Sequence, residues 1–190
     1  ALCAASVLPA SAQRYDIDLS RIDPAAVLAL GDDVLLRAPD PAIDRLFQAV
    51  HASSRSDSES AALCALFEPG AARDVAAFQR AVGQLGDASR ERFALAFTDI
   101  AIAGLQGEPQ PYDPAHARQV LKSAAVSATF LHDGFMLGLA ADGADAASRQ
   151  ARCRSFRWLV GVLDSLPRPD RVAATRWLLR EGLTLVGNQG

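Results

Sequence analysis

The chain has few aromatic residues and almost no lysine. Phe, Trp and Tyr make up 6% of its 190 residues, which disfavours a surface of rings on which bases or sugars stack. Lys122 is the one lysine among 19 basic residues. We read the excess of arginine, together with abundant alanine, as the codon bias of a GC-rich genome and as weak evidence for phosphate recognition. The net charge of −3 gives no general reason to bind nucleic acid.

The chain also lacks a long uncharged apolar run. A membrane-spanning helix needs about 18 or more such residues, and the nearest approach, residues 120–141, is interrupted by Lys122, His132 and Asp133. Half of all residues are apolar and 22% are charged, which is typical of a globular protein and argues against disorder. We therefore expect one domain with a full hydrophobic core and no transmembrane span.

Motifs of established chemistry are absent from the sequence. There is no Gly-x-Ser-x-Gly elbow, no Ser-x-x-Lys pair and no phosphate-binding glycine loop. His51, His116 and His132 lie in three different segments without the paired spacing of metal ligands. We therefore predict no catalytic residue, no metal site and no cofactor.

Helix signals follow one another along the chain. Aspartate followed by proline, which is typical of a helix start, occurs at Asp23-Pro24, Asp40-Pro41 and Asp113-Pro114. Apolar residues then recur at helical spacing, and Gly or Pro ends most segments. For example, the pattern predicts a short helix that ends at Gly31. Residues 13–190 are therefore predicted to form a single all-α domain of about seven to nine helices.

The longest predicted helix runs from Asp113 to Asp142. One of its faces includes Ala124 and Phe135, and a second apolar face includes Phe130 and Leu137, which leaves only a narrow polar stripe. Because other helices should wrap so apolar a helix, we expect it at the centre of the fold. The helix over residues 88–105 is predicted to be the second most buried.

Residues 1–12 have the features of a signal-peptide remnant. They are apolar and uncharged up to residue 8, and a small-x-small cleavage pattern then precedes Gln13. The alternative is a short apolar arm packed on the domain. Removing residues 1–12 leaves Cys64 and Cys153, which would form a disulfide in an oxidising compartment or remain buried thiols in the cytosol. We expect the disulfide, and hence a periplasmic or secreted protein.

One glutamate and a cluster of arginines are candidate functional residues. A glycan-cleaving enzyme needs a carboxyl group in an apolar cleft, and Glu68 is the glutamate with apolar neighbours. Its alternative role is capping or solvation. The arginine cluster lies within one predicted helix and consists of Arg149, Arg152, Arg154 and Arg157. Helical projection spreads the four side chains around the helix, which favours ordinary surface charge over anion recognition.

These observations lead us to expect an exported bacterial helical protein that binds another protein. An immunity or inhibitor protein of an envelope-targeting toxin or enzyme would fit. Its contacts are expected in exposed turns, namely residues 53–59 and the 107–112 turn. There, Glu108 and Tyr112 are predicted to contact the partner, although Tyr112 could instead pack on its own helix. The alternatives are an enzyme acting on an envelope polymer, or a carrier with an apolar cavity beneath the glycine-containing part of the longest helix.

Overall fold

The computed structural model describes residues 24–72 and 75–187. The predicted all-α single domain is confirmed, because these residues form nine α-helices and no strand. The predicted signal-peptide remnant, residues 1–12, lies outside the described residues. A 3₁₀ turn, Ala65–Phe67, follows the third helix. The helices are Pro24–Arg37 (α1), Asp40–Ser54 (α2), Asp57–Cys64 (α3), Val75–Gly83 (α4), Asp87–Gln106 (α5), Pro114–Leu131 (α6), Phe135–Ala140 (α7), Ala146–Asp164 (α8) and Arg168–Gly187 (α9).

Two hydrophobic clusters form the core, and α2 contributes to both. Ile43 and Leu46 of α2 lie in the cluster that joins α1, α5 and α9. Phe47, one position further along α2, lies in the cluster that joins α6, α7 and α8. Apolar residues at this i, i+3, i+4 spacing share one broad face. This face of α2 therefore lies where the two clusters meet, and α9 also contributes to both through Val172 and Ala174. The centre of the fold lies at these two helices rather than at the predicted helix 113–142.

The predicted continuous helix from Asp113 to Asp142 is wrong, because it is divided into α6 and α7. The α6 ladder ends where the His132 N–H donates to the Ala128 carbonyl at 3.0 Å. Gly134 then has a φ of 84°, a left-handed conformation that glycine adopts without the steric cost a side chain would bring. The backbone turns there, and α7 begins at Phe135.

The short helix α7 packs tightly on α8 through a glycine. A Cβ atom on Gly138 would lie 2.1 Å from the Ser155 hydroxyl oxygen and 2.4 Å from the Ala151 carbonyl oxygen. No side chain could occupy that space, so the small residue permits the close approach of the two helices. Gly31 acts similarly inside α1. The helix does not end at Gly31 as predicted but continues to Arg37, and a Cβ atom on Gly31 would lie 3.1 Å from the Leu183 side chain of α9.

A buried arginine joins α9 to the ends of α1 and α2. Arg176 is 1% exposed and donates hydrogen bonds to the carbonyl oxygens of Leu35 and Ala38, the latter at 2.9 Å, and to the Asp40 carboxylate at 3.0 Å. Burial lowers the pKa of Arg176, and Asp40 opposes that effect. Asp40 was predicted to cap α2, but the helix begins at this residue and its carboxylate binds Arg176 instead.

The two cysteines of the described residues, Cys64 and Cys153, join α3 to α8. Cys64 and Cys153 lie at disulfide-bonding distance, with Sγ atoms 2.09 Å and Cα atoms 5.3 Å apart. The Cα separation is that of an ordinary protein disulfide. The bond closes a loop across a sequence separation of 89 residues, so it constrains the unfolded chain over much of its length.

Candidate functional site

A hollow of about 470 Å³ lies between the end of α2 and the middle of α8. We call it the cationic hollow, because three arginines and a histidine line it. Its lining residues are His51, Ser54, Arg55, Arg154, Arg157, Trp158 and Gly161.

Helical spacing brings these side chains together. Arg154, Arg157 and Trp158 follow one another at i, i+3 and i+4, which places them on one face of α8. His51 and Ser54 at the end of α2 and Arg55 directly after it have the same spacing and lie beside the middle of α8. Of the four arginines of α8, only Arg154 and Arg157 line the hollow, whereas Arg152 pairs with Glu68, so the four do not form one patch. Helical projection of α8 could not reveal this site, because the third arginine, Arg55, comes from the turn after α2.

Only part of the positive charge in the hollow is compensated. Arg157 pairs with Asp57 at 2.6 Å, and His51 Nδ1 lies 3.4 Å from the Asp164 carboxylate. Within residues 24–72 and 75–187, neither Arg55 nor Arg154 has an acidic partner. The two unpaired guanidinium groups give the hollow a net attraction for anions.

Trp158 forms one wall of the hollow and is held by ring contacts. The Arg154 guanidinium lies 5.6 Å from the centre of the Trp158 ring, within the range of a cation–π interaction. His132 stacks on the same indole, with ring centres 4.8 Å apart and planes 2° apart. The turn between α6 and α7 therefore contacts the edge of the cationic hollow.

A second feature is a set of exposed apolar side chains on the last turns of α6 and on α7. Only Phe135 and Gly138 of α7 are buried. Phe130 is 86% exposed and Leu137 is 77% exposed, so the second apolar face predicted for this segment is not covered by other described residues. We call this the 126–139 apolar surface. It comprises Val126, Phe130, Leu131, Met136, Leu137 and Leu139.

Helix α5 carries a smaller apolar stripe. Leu95, Ile102 and Leu105 recur at seven- and three-residue spacings, which place them on one face, and each is more than half exposed. The prediction that this helix is the second most buried is therefore wrong. Its bounds, in contrast, agree closely with the predicted range 88–105.

The residues predicted to contact a partner lie in a turn that packs on the protein. The Gln110 N–H donates to the Leu36 carbonyl at 2.8 Å, which holds the turn on α1. Tyr112 packs on α9 rather than on its own helix, with the Arg180 guanidinium 5.2 Å from its ring centre. Burial raises the pKa of Tyr112. Glu108 is exposed. The contact predicted for Glu108 and Tyr112 stays a prediction.

The other predicted contact segment, residues 53–59, has structural roles at both ends. Ser53 and Ser54 are buried in α2. The Glu59 carboxylate accepts hydrogen bonds from the Gly86 N–H at 3.0 Å and from the Ser89 hydroxyl at 2.7 Å. Burial would raise the pKa of Glu59, but these hydrogen bonds outweigh it and lower the pKa. Glu59 therefore caps the N-terminus of α5, where negative charge is favoured.

Glu68, the candidate catalytic acid, forms an ion pair with Arg152. Its carboxylate accepts a hydrogen bond from Arg152, whose side chain is 14% exposed. Arg152 also donates to the carbonyl oxygens of Ala141 and Gly143 at 2.9 and 2.8 Å. The pair therefore ties the turn after the 3₁₀ segment to α8 and to the loop that precedes it.

A smaller hollow of about 260 Å³ lies beside this ion pair. Gly138, Leu139 and Phe156 line it together with Glu68 and the disulfide. It is close to the place where the carrier alternative predicted an apolar cavity. The hollow is open to solvent and is below the roughly 300–1,000 Å³ typical of small-molecule sites.

Each histidine of the described chain has a local partner. His116 Nε2 lies 2.9 Å from the Asp170 carboxylate, His51 is beside Asp164, and His132 stacks on Trp158. No group of three or more His, Cys, Asp or Glu residues among those described is placed to hold a metal ion. In the same part of the chain, no helix is long and apolar enough to cross a membrane.

Comparisons of the chain with family models, with curated proteins and with solved structures found no match. Its function is therefore inferred from its own surfaces.

Proposed function

We propose that this chain binds another protein through the 126–139 apolar surface. Phe130 and Leu137 carry the proposal, because both are large apolar side chains with high exposure and they lie on either side of the short turn between α6 and α7. A monomeric protein rarely leaves a continuous apolar patch in water, and such patches commonly mark interaction sites. Leu139 also lines the smaller hollow, beside the exposed Phe67, which extends the surface toward α3.

The support beneath this surface is rigid. Ala128 and Phe135, which lie on the same two helices as the exposed residues, are fully buried in the second core cluster. Gly138 fixes α7 against α8 at a spacing that allows no side chain between them. A preformed surface of this kind loses little conformational freedom on binding, which favours affinity.

Charges of both signs border the surface, because Arg154 lies over the Trp158 ring on which His132 stacks, and the acidic ones favour a protein partner over a membrane. Asp133 and Asp142 are both exposed at the ends of α7, and no described residue forms an ion pair with either of them. An anionic lipid surface would repel these carboxylates. A protein with an apolar patch rimmed by basic residues would complement them.

Two narrower proposals concern location and role. We propose that the protein is exported from a bacterial cell, supported by the disulfide-bonding distance between Cys64 and Cys153, since such bonds persist in oxidising compartments. We further propose the role of an immunity or inhibitor protein for an envelope-targeting toxin or enzyme. A compact stoichiometric binder with an exposed apolar surface is suited to that role.

The test compares two surfaces of the same protein. Wild type, Phe130→Ser with Leu137→Ser, and Glu108→Lys with Tyr112→Ala would each be used to capture partners from envelope extracts. A captured protein would be identified, purified and titrated against each variant. We expect the double change on α6 and α7 to weaken binding at least tenfold, since anchors of this kind are typically worth about 2 kcal/mol or more. The Glu108 and Tyr112 variant tests the contact predicted for the turn.

Three results would contradict the proposal. Unchanged affinity of the Phe130 and Leu137 variant would show that the partner binds elsewhere. If the wild type bound anionic vesicles and that variant did not, the surface would be a membrane-binding surface instead. Turnover of an envelope polymer by the purified protein, abolished by Glu68→Gln, would establish the enzyme alternative.

A further inference from the structure

We propose that the cationic hollow binds a small organic anion that carries phosphate or carboxylate groups. This proposal is independent of the protein-binding role, because its side chains belong to α2 and α8 and none belongs to the 126–139 apolar surface.

The arrangement of the arginines is the first support. Arg154 and Arg157 from α8 and Arg55 from the end of α2 line one hollow. An Arg157 N–H also donates to the Arg55 carbonyl oxygen at 3.5 Å, which brings these two residues together across the helix pair. Each guanidinium group offers several N–H donors in a fixed plane, the geometry that suits the paired oxygens of phosphate and carboxylate groups.

The balance of charge is the second support. Arg55 and Arg154 have no acidic partner among the described residues. The Asp57 side chain, which pairs with Arg157, is 92% exposed, so water competes for that contact and a ligand oxyanion could replace it. The remaining acid near the wall, Asp164, faces His51 and Gln48. An anion entering the hollow therefore meets unpaired positive charge.

The shape of the hollow indicates an organic ligand rather than an inorganic ion. The hollow is open to solvent, as the smaller one is, but its volume of about 470 Å³ is within the roughly 300–1,000 Å³ typical of small-molecule sites, and a single inorganic oxyanion would leave most of it empty. Trp158 supplies an apolar wall beside the guanidinium of Arg154. The ligand we infer therefore has an anionic group for the arginines and a carbon skeleton for the indole.

Gly161 keeps one side of the hollow open. It lies inside α8, where glycine is less favourable than alanine, and a Cβ atom placed there would meet no atom within 4 Å. A larger side chain at this position would therefore enter the hollow without disturbing the helix packing. A substitution at Gly161 can therefore block the site while every arginine stays in place.

The experiment uses citrate and phenyl phosphate as probes, because they carry the two oxyanion types on a carbon skeleton. Isothermal titration calorimetry at low ionic strength should show saturable binding of at least one probe, weakened by added salt. We expect Arg55→Gln and Arg154→Gln each to lower the affinity at least tenfold. Gly161→Leu should abolish binding, although it removes no charge. Arg149→Gln is the matched control, because Arg149 lies on α8 outside the hollow and should leave the affinity unchanged.

The outcomes are decisive in both directions. Loss of binding in Arg154→Gln and Gly161→Leu, with retention in Arg149→Gln, supports a site in the hollow. The absence of saturable binding of either probe at millimolar concentration would overturn the proposal. An equal loss in Arg149→Gln would also overturn it, since that would show general attraction to a charged surface. Circular dichroism of each variant shows whether the helices are retained. If Arg55→Gln, Arg154→Gln or Gly161→Leu retained its helices and bound with unchanged affinity, the substituted residue would not belong to the site.

Discussion

Arg176 provides the sharpest test of how the helices are held together. Replacing it with methionine keeps a long flexible side chain in the core but removes every hydrogen-bond donor. The carbonyl oxygens of Leu35 and Ala38, which are 8% and 0% exposed at the residue level, would then lose the donors that Arg176 supplies. The Asp40 carboxylate would lose its ion pair.

The expected cost follows from these three contacts. A buried polar group left without a partner costs about 1–3 kcal/mol, so two carbonyl oxygens account for roughly 2–6 kcal/mol. The ion pair adds at most about 1 kcal/mol, because the Asp40 side chain is 55% exposed. The change also removes the cost of burying a charge, which offsets part of the total. We therefore expect Arg176→Met to lower the free energy of unfolding by about 2–4 kcal/mol.

Urea denaturation of a matched pair of variants measures this effect. The control is Arg168→Met, also on α9, because its partner Asp44 keeps a second ion pair with Arg171 at 2.8 Å. We expect the control to change stability by no more than about 0.5 kcal/mol. A midpoint for Arg176→Met equal to that of the control, at an unchanged slope, would refute the reasoning. It would show that the hydrogen bonds to Leu35 and Ala38 contribute nothing measurable.

Three further predictions concern the disulfide, the core and a helix cap. Peptide mass spectrometry without reduction should find Cys64 joined to Cys153, and two free thiols in protein from an oxidising compartment would contradict this. Removing the bond should lower the free energy of unfolding by about 2–4 kcal/mol. Phe135→Ala removes a fully buried ring and should cost about 3–5 kcal/mol by urea midpoint, and a cost below about 1 kcal/mol would count against its place in the core. Hydrogen bonds from the Ser148 side chain and N–H lower the pKa of Asp145 from 3.8 to about 2, so its stabilising effect is complete above the unfolded value and is lost as the pH falls toward about 2. Stability measured against pH should therefore lose that part of its acid dependence in Asp145→Asn.

The binding surfaces were the least predictable part of the molecule. The sequence pattern identified Phe130 and Leu137 as members of an apolar face, and the structure places both in the chain's exposed surface. Periodicity shows that a face is apolar, but it does not show whether another helix covers it. The same limit applies to the turn at residues 107–112, where the packing of Tyr112 against Arg180 depends on contact with a distant helix.

Local chemistry alone determined where several helices begin. Asp113 accepts hydrogen bonds from the N–H groups of Ala115 and His116, as its position before a helical segment predicted. Asp145 similarly accepts a hydrogen bond from the Ser148 N–H. These bonds join residues two or three positions apart, so they can be read from the sequence without knowing the fold. The all-α class follows in the same way from repeated helical spacing.

Only the tertiary structure decided which distant groups meet. The bond between Arg176 and the Leu35 carbonyl spans 141 positions, and the cationic hollow joins Arg55 to Arg154 from another helix. The division of the predicted helix into α6 and α7 at Gly134 likewise accompanies the packing of α7 on α8. Burial and charge clustering depend on how helices pack against one another, and that packing minimises the free energy of the whole chain rather than of any short segment.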